Sequence, residues 1–462
     1  MFSLFIRRFS KRAGKSHPPR AVLAATAAAL AALGFNAGPA AAATYQVPSS
    51  IAADCSVDVT SPLLSWIASV PDYSTLSFGT NACYRIEGTL DFSGRHGLDF
   101  EGNGSTFRSI NAPTDTRAIW RAWQSTGLIF RNMTITGSYP NGGTFTSTLQ
   151  HAHGIDLRGT GAEIADVAVS NVGGDCVYFG LGSDNSTRST GSLHNSTCTG
   201  TSRNAVSVTA GSNVLVQYVT TSSIGYDVFD VEPNTGTANW GADNITFDSN
   251  TIDAPYALSA FSVVPNAPLS ALSFTHNTVV GRGLKITTGS TTTAANRPQG
   301  VTITGNSSDS AQAPAAMNIS SVDGLTITGN TVPLTSGAMA SVDSSCSVNV
   351  ASNSYPGGTS QYSIAAYTCS PPTPTTTPTV LITSPASGAI LSGPRTTVAA
   401  TASSGAVKMA VYVDGALLST SATNSISTMW NLKKVGGGSH TITVDAWNSS
   451  NSMGASAVTV YK

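Results

Sequence analysis

Residues 301–308 read VTITGNSS and residues 325–332 read LTITGNTV. Each alternates apolar and polar side chains, bends at Gly-Asn and resumes with a short apolar step. That is a period-2 strand, a turn and a second strand. The theme recurs as LIFRNMTI around Asn132, ITFDSNTI around Asn250, SFTHNTV around Asn277 and SVNVASNSY around Asn353. SLHNSTC around Asn195 and VLVQYVTT at 214–221 are looser copies. Spacing between copies varies from roughly the low twenties to the low thirties of residues, which excludes fixed-length helical repeats and fits a coil with turns of unequal length. Asn tolerates left-handed backbone at a bend, and stacked Asn side chains can hydrogen-bond from coil to coil. Such a coil has an open end to hide. Asp58–Val70 supplies a short amphipathic helix for that purpose, with Thr60 or Ser61 as cap, Pro62 in the first turn, and an apolar stripe of Leu63, Leu64, Trp66, Ile67 and Val70.

Composition agrees with an all-β chain. Only 10% of the 462 residues are charged and the net charge is −1, so nothing electrostatic points to nucleic acid or to an anionic membrane. The first 43 residues read as an export signal: a basic stretch from Arg7 to Arg20, an apolar run at Ala21–Gly34, and Ala41-Ala42-Ala43 for cleavage. The Arg7-Arg8 pair is a weak hint of twin-arginine export, and no second apolar stretch suggests a membrane span. The expected mature protein is secreted and soluble. Six cysteines suit that compartment, and nearest-neighbour pairing (Cys55–Cys83, Cys176–Cys198, Cys346–Cys369) is the economical choice among fifteen.

From about Ala53 to Tyr367 the sequence resembles the right-handed parallel β-helix proteins of the pectate-lyase-like superfamily. The resemblance is carried by the repeated strand–Asn–strand units, by LDFEGNGSTF at Leu98–Phe107 and by GYDVFDVEPN at Gly225–Asn234. It implies a β-helix over 44–369 that acts on a polysaccharide, without fixing the reaction. Residues 370–379 (SPPTPTTTPT) form a Pro/Thr linker. Residues 380–462 break into short alternating strands and resemble the bacterial Ig-like β-sandwiches attached to secreted carbohydrate-active enzymes. Val411–Gly415, Trp430 and Gly438–Thr441 carry that second resemblance. Trp430 and Trp447 are expected to pack in the sandwich core rather than to bind sugar.

Chemistry concentrates in GYDVFDVEPN, where Asp227, Asp230 and Glu232 fall within eight residues. Neighbouring coils of a β-helix lie about 4.8 Å apart, so their strands can be registered. Aligning Ile155, Val177, Val206 and Phe229 as inward residues stacks three polar columns. They are His153, Asp175, Asn204 and Asp227; then Asp156, Tyr178, Ser207 and Asp230; then Arg158, Gly180, Thr209 and Glu232, with Arg203 beside Asn204. A lone Asp at a strand end is usually a turn former, and Asp156 with Arg158 alone would be an ordinary surface pair. Their convergence on one face is what suggests a site.

Glycosidic hydrolysis needs a protonated carboxyl and a carboxylate, and the expected Cα spacing of about 6.5 Å between Asp230 and Glu232 leans towards inversion. Asp227 and Asp230 match the Asp-x-x-Asp arrangement of tailspike glycosidases. Under this reading Asp227, Asp230, Glu232 and Asp175 are catalytic. His153, Arg203, Tyr178, Tyr226, Asp156 and Arg158 bind substrate or stabilise charge, and no metal is needed. The alternative is β-elimination or C5-epimerisation of a uronic acid by an Arg, His or Tyr base, with Ca²⁺ held by Asp227, Asp230 and Glu232. The pectate-lyase Trp-Ile-Asp-His and the polygalacturonase Asn-Thr-Asp, Asp-Asp and Arg-Ile-Lys motifs are missing, and RGLKI at 282–286 is only a faint echo of the last. A third class, a non-enzymatic adhesin or surface-display stalk, predicts bland coils throughout. The coils after Leu272 are bland, but those between His151 and Glu232 are not.

Overall fold

The structure is a computed structural model. It describes residues 43–462 except 116, 235–238, 254, 282–284, 290–295, 310–315, 334–336, 357–359, 366–376, 404 and 449–451. The expected export signal, apart from Ala43, lies outside the described residues, as do Cys369 and most of the Pro/Thr linker.

Alternation does what the repeated theme predicts. Each turn of the coil lays two strands into one long parallel sheet of 19 strands and a third into a parallel sheet of 11. One turn, for example, runs Gly211–Gln217, Thr220–Ile224 and Asp227–Val231; the next runs Ala242–Asp248, Thr251–Asp253 and Ser259–Val263. The chain is therefore a parallel β-helix, and its core is the stack of inward residues. In the 11-stranded sheet that stack passes from Trp120 through Ile155, Val177, Val206, Phe229 and Phe261 to Ile286, all of them buried. Phe229 stacks on Phe247 with centroids 4.7 Å apart, so the two sheets meet through the core.

The bends hold two different asparagines that the repeated theme does not distinguish. Asn132 and Asn195 are themselves left-handed, with φ of 55° and 50°. In the later coils the left-handed residue is Ser249, His276, Gly305, Gly329 or Ser352, and the Asn that follows it turns inward. These inward residues form a ladder. The side-chain N–H groups of Asn250, Asn277, Asn306 and Asn330 each donate to the carboxamide oxygen of the next Asn, ending at Asn353, over 2.9–3.0 Å. Backbone N–H groups donate to the same oxygens, and the second side-chain N–H returns to a carbonyl of the preceding coil. Every polar group of the ladder is thus satisfied without water.

The N-terminal end is covered by a helix at Thr60–Ser69, which buries Leu63, Trp66 and Ile67. Trp66 meets Phe78 edge-on at 5.2 Å. Neither Thr60 nor Ser61 caps it, contrary to expectation. Val59 stands at the N-cap, and Asp58 before it accepts from the Thr60 N–H at 3.0 Å and the Thr60 hydroxyl at 2.6 Å. Cys55–Cys83 and Cys176–Cys198 each bridge adjacent coils. Beyond the linker, a three-stranded and a four-stranded antiparallel sheet make a β-sandwich with its own core around Val398, Met409, Trp430 and Val444. Trp447 is not in that core; it is half-buried, with the Lys408 ammonium 5.1 Å from its ring. Among the described residues no helix is long and apolar enough to cross a membrane.

Candidate functional site

The three columns form as the apolar alignment requires. Tyr178 pairs with Asp156 and with Ser207, and Ser207 pairs with Asp230. The first column is threaded by hydrogen bonds. His153 Nδ1 accepts the Asp175 N–H (3.1 Å), Asp175 accepts the Asn204 N–H (3.0 Å), and Asn204 accepts the Asp227 N–H (2.9 Å). Arg203 joins the columns. It donates to Asp175 at 3.0 Å and to Glu232 at 2.9 Å, and it lies 3.7 Å from Asp230. Asn204 Nδ2 donates to Asp230 Oδ2 at 3.2 Å.

The cavity beside Asp230 divides these residues into two groups, those that do not line it and those that do. His153 and Asp175 are 0% exposed, so neither touches a ligand, and the sugar-binding and direct catalytic roles expected of them do not fit. Burial, with Arg203 and Arg158 nearby, holds the His153 imidazole well below its ordinary pKa. It is a neutral ring stacked on Tyr178 at 4.6 Å, and its 3.5 Å approach to Asp175 is no ion pair. Asp156 is likewise buried, accepting from Trp123 Nε1 and Arg158 Nε. Tyr178 is buried too, with its hydroxyl bonded to Thr209. Strand alternation tells which side of the sheet a residue faces, but not what lies over that face. Here Arg203 lies against Asp175, and Trp123 and Arg158 against Asp156, while residues 141–146 pass beside Ser202 and Gly225, ahead of the strands.

Asp227, Asp230, Glu232 and Tyr226 form the second group, and they line one cavity of about 310 Å³. Asp227 and Asp230 are 6% and 2% exposed, and one oxygen of each, Oδ1, is buried with no hydrogen-bond partner. Burial raises the Asp230 carboxyl well above the ordinary value; Arg203 opposes the rise, while Glu232, Asp227 and Asp175 add to it. Burial raises Asp227 as well, against Ser259, Ser262 and Lys285. For Arg203 burial alone would lower the pKa, but Asp175, Asp230 and Glu232 more than reverse that. Burial thus favours the proton on Asp230, while the surrounding carboxylates favour the charge on Arg203.

Lys285, which the sequence reading touched only through the faint RGLKI echo and did not place in the site, lines the same cavity. Among the described residues its ammonium has no hydrogen-bond partner. The available signal was a lone Lys two coils past the acids, just before an inward Ile286. Also missed was an aromatic rim: Phe145 packs on Tyr226 at 4.6 Å, and Tyr256, 59% exposed, lies close to Gly143. A wider groove of about 650 Å³ follows the left-handed bends at Asn103, Asn132, Asp166 and Asn195 on the long sheet. It holds none of the predicted site residues, and its Glu101 is already bonded to Asn132 and Arg131.

No curated protein matches the chain. Residues 378–444 match the family model described as a bacterial Ig domain. Among solved structures, fibronectin(III)-like modules of Clostridium thermocellum CbhA are 21% identical over 22% of this chain and 50% of that one, with a TM-score of 0.17. PfbA, a surface adhesin of Streptococcus pneumoniae, is 11% identical over 70% of this chain and 92% of that one, at 0.45. The tailspike protein of Acinetobacter baumannii phage AM24 is 13% identical over 88% and 72%, at 0.47.

Proposed function

We propose that this is a secreted carbohydrate-active enzyme that cleaves a polysaccharide by carboxylate acid–base hydrolysis in the Asp227–Asp230–Glu232 cavity. The observation that carries the reading is the pair of carboxyl groups, Asp227 and Asp230, that line one cavity while each keeps a buried oxygen, Oδ1, without a hydrogen-bond partner. An unsatisfied buried oxygen costs stability, on the order of 1–3 kcal/mol, and such strain is retained where a ligand will use it. Asp230, kept protonated by burial, donates to the departing glycosidic oxygen. Asp227 or Glu232, as carboxylate, activates the water or the anomeric carbon. Arg203 orients Glu232 and steadies the charge that develops on Asp230. Phe145, Tyr226 and Tyr256 offer ring faces to the sugar.

Lys285 favours a second reading. In that reading the Lys285 ammonium, beside Asp227, holds a uronate carboxylate, or its neutral amine form takes the proton beside that carboxylate, as elimination or epimerisation requires. Ca²⁺ among Asp227, Asp230 and Glu232 fits less well, because the Arg203 guanidinium already sits against Asp230 and Glu232.

The test is turnover on a polysaccharide panel. Asp230→Asn should lower kcat by about 10²–10⁴-fold, the usual worth of a general acid, and Asp227→Asn should do likewise. Equal turnover in both variants and the parent would remove the cavity from the mechanism. Reducing ends without absorbance near roughly 235 nm support hydrolysis, and activity should survive chelator.

A further inference from the structure

The outward column that ends at Glu232 begins four coils earlier at Trp123, which pairs with Arg158; Arg158 pairs with Gly180, and Thr209 and Glu232 continue the line. Arg158 is fixed on every side but one. Its guanidinium carbon stands 4.9 Å from the Trp123 ring centre and 5.0 Å from that of Tyr178. Its Nε donates to buried Asp156 at 2.9 Å, and Trp123 Nε1 donates to the same carboxylate at 3.2 Å. Arg121, over the same Trp ring, is drawn to Asp156 and Asp91, each at 3.7 Å.

The Arg158 terminal nitrogens make no hydrogen bond among the described residues, and its side chain is 27% exposed. A planar cation whose faces and inner edge are held, while its outer fork is unpaired, is preorganised for an oxyanion. Arg158 lies three coils from Glu232, about 14 Å at the coil spacing. That spacing is close to the length of one sugar unit, so a chain laid along the coil axis would present about one sugar per coil.

We propose that Arg158, clamped by Trp123 and Tyr178, is a remote subsite for the carboxylate or sulfate of an anionic polysaccharide threaded along the 11-stranded sheet. The inference rests on the reading of the adjoining cavity as a polysaccharide site, and it adds the substrate class: the chain is acidic and is gripped about three sugars from the bond that breaks.

The full-length Asp230→Asn variant, in which turnover is suppressed, is run in native gels containing polygalacturonate or alginate (carboxylate), chondroitin sulfate (sulfate) or neutral dextran. At least one acidic polymer should retard it. In the same background Arg158→Met should weaken that retardation about tenfold or more, the worth of a charge-assisted contact. Arg158→Lys, which keeps the charge but not the fork, should restore only part. Carboxylate against sulfate is decided by which polymer shows the Arg158 effect. Retardation by dextran alone, no acidic retardation, or full retention in both Arg158 variants overturns the subsite. Equal losses on acidic and neutral polymers also overturn it, since that marks a merely structural arginine. Acidic retardation that depends on Arg158, in a chain whose unsubstituted form releases no reducing ends, instead rejects hydrolysis and leaves the subsite standing.

Discussion

Asp230 is a carboxyl whose charge the fold disfavours. Its pKa in the fold lies above the unfolded value, so the folded state holds the proton more tightly. Its contribution favours folding below about pH 4 and turns into a cost as pH rises through the folded pKa. Two expected outcomes follow. Activity should fall on the alkaline side as the acid deprotonates, with the fall set above the ordinary Asp range, measured as kcat against pH. Asp230→Asn should raise the unfolding midpoint at pH 8 relative to the parent, with the gain vanishing near pH 4. A loss of stability at pH 8 would mean that the charged Asp230–Arg203 contact outweighs burial. The columns were legible from alternation and register, because Ile155, Val177, Val206 and Phe229, chosen as the inward residues, do pair in that register. Burial was not: whether Asp175 or Asp230 meets the cavity depends on the reach of Arg203, which no period reports. Lys285 appeared only within the faint RGLKI echo, because its coil is otherwise bland.

At the scale of the element, the asparagine ladder dominates. Asn306 accepts from the Asn277 backbone and side chain and donates to Asn330 and to the Phe274 carbonyl. Asn306→Ala leaves several buried groups unpaired and should cost about 2–4 kcal/mol. Asn132→Ala, at an exposed bend with φ of 55°, should cost no more than about 1 kcal/mol. Denaturant midpoints of the two variants decide it; equal losses would mean that the ladder does not carry the coil. The repeated Asn advertised both bend and stack, but one residue of register separates the two roles, and the consensus blurs it. In the sandwich, His440 bonds Asp414 at 2.6 Å and the Gly436 carbonyl at 3.1 Å. The Asp414 bond is also the main cause of the raised His440 pKa and of the lowered Asp414 pKa. The pair should therefore stabilise the sandwich most between about pH 4 and 6.5, and that stability should fade as pH rises through the folded pKa of His440. A His440→Ala variant should lack this pH dependence when its thermal midpoint is followed across that range.

For the whole molecule, the β-helix and the sandwich have separate cores, so calorimetry should resolve two transitions. Asn306→Ala should move one and His440→Ala the other; a single cooperative transition shifted by both would refute their independence. The fold class was legible because both architectures repeat a period-2 pattern, one in coils and one between turns. What the molecule acts on was not, since alternation places side chains on a face without saying what that face binds. The coils vary in length: successive ladder asparagines are 27, 29, 24 and 23 residues apart, yet each rung closes in the same geometry. The ladder therefore tolerates a change of length between its rungs. The scaffold can thus exchange its outer loops as interchangeable fittings, and a new specificity could be grafted on without rebuilding the machinery beneath.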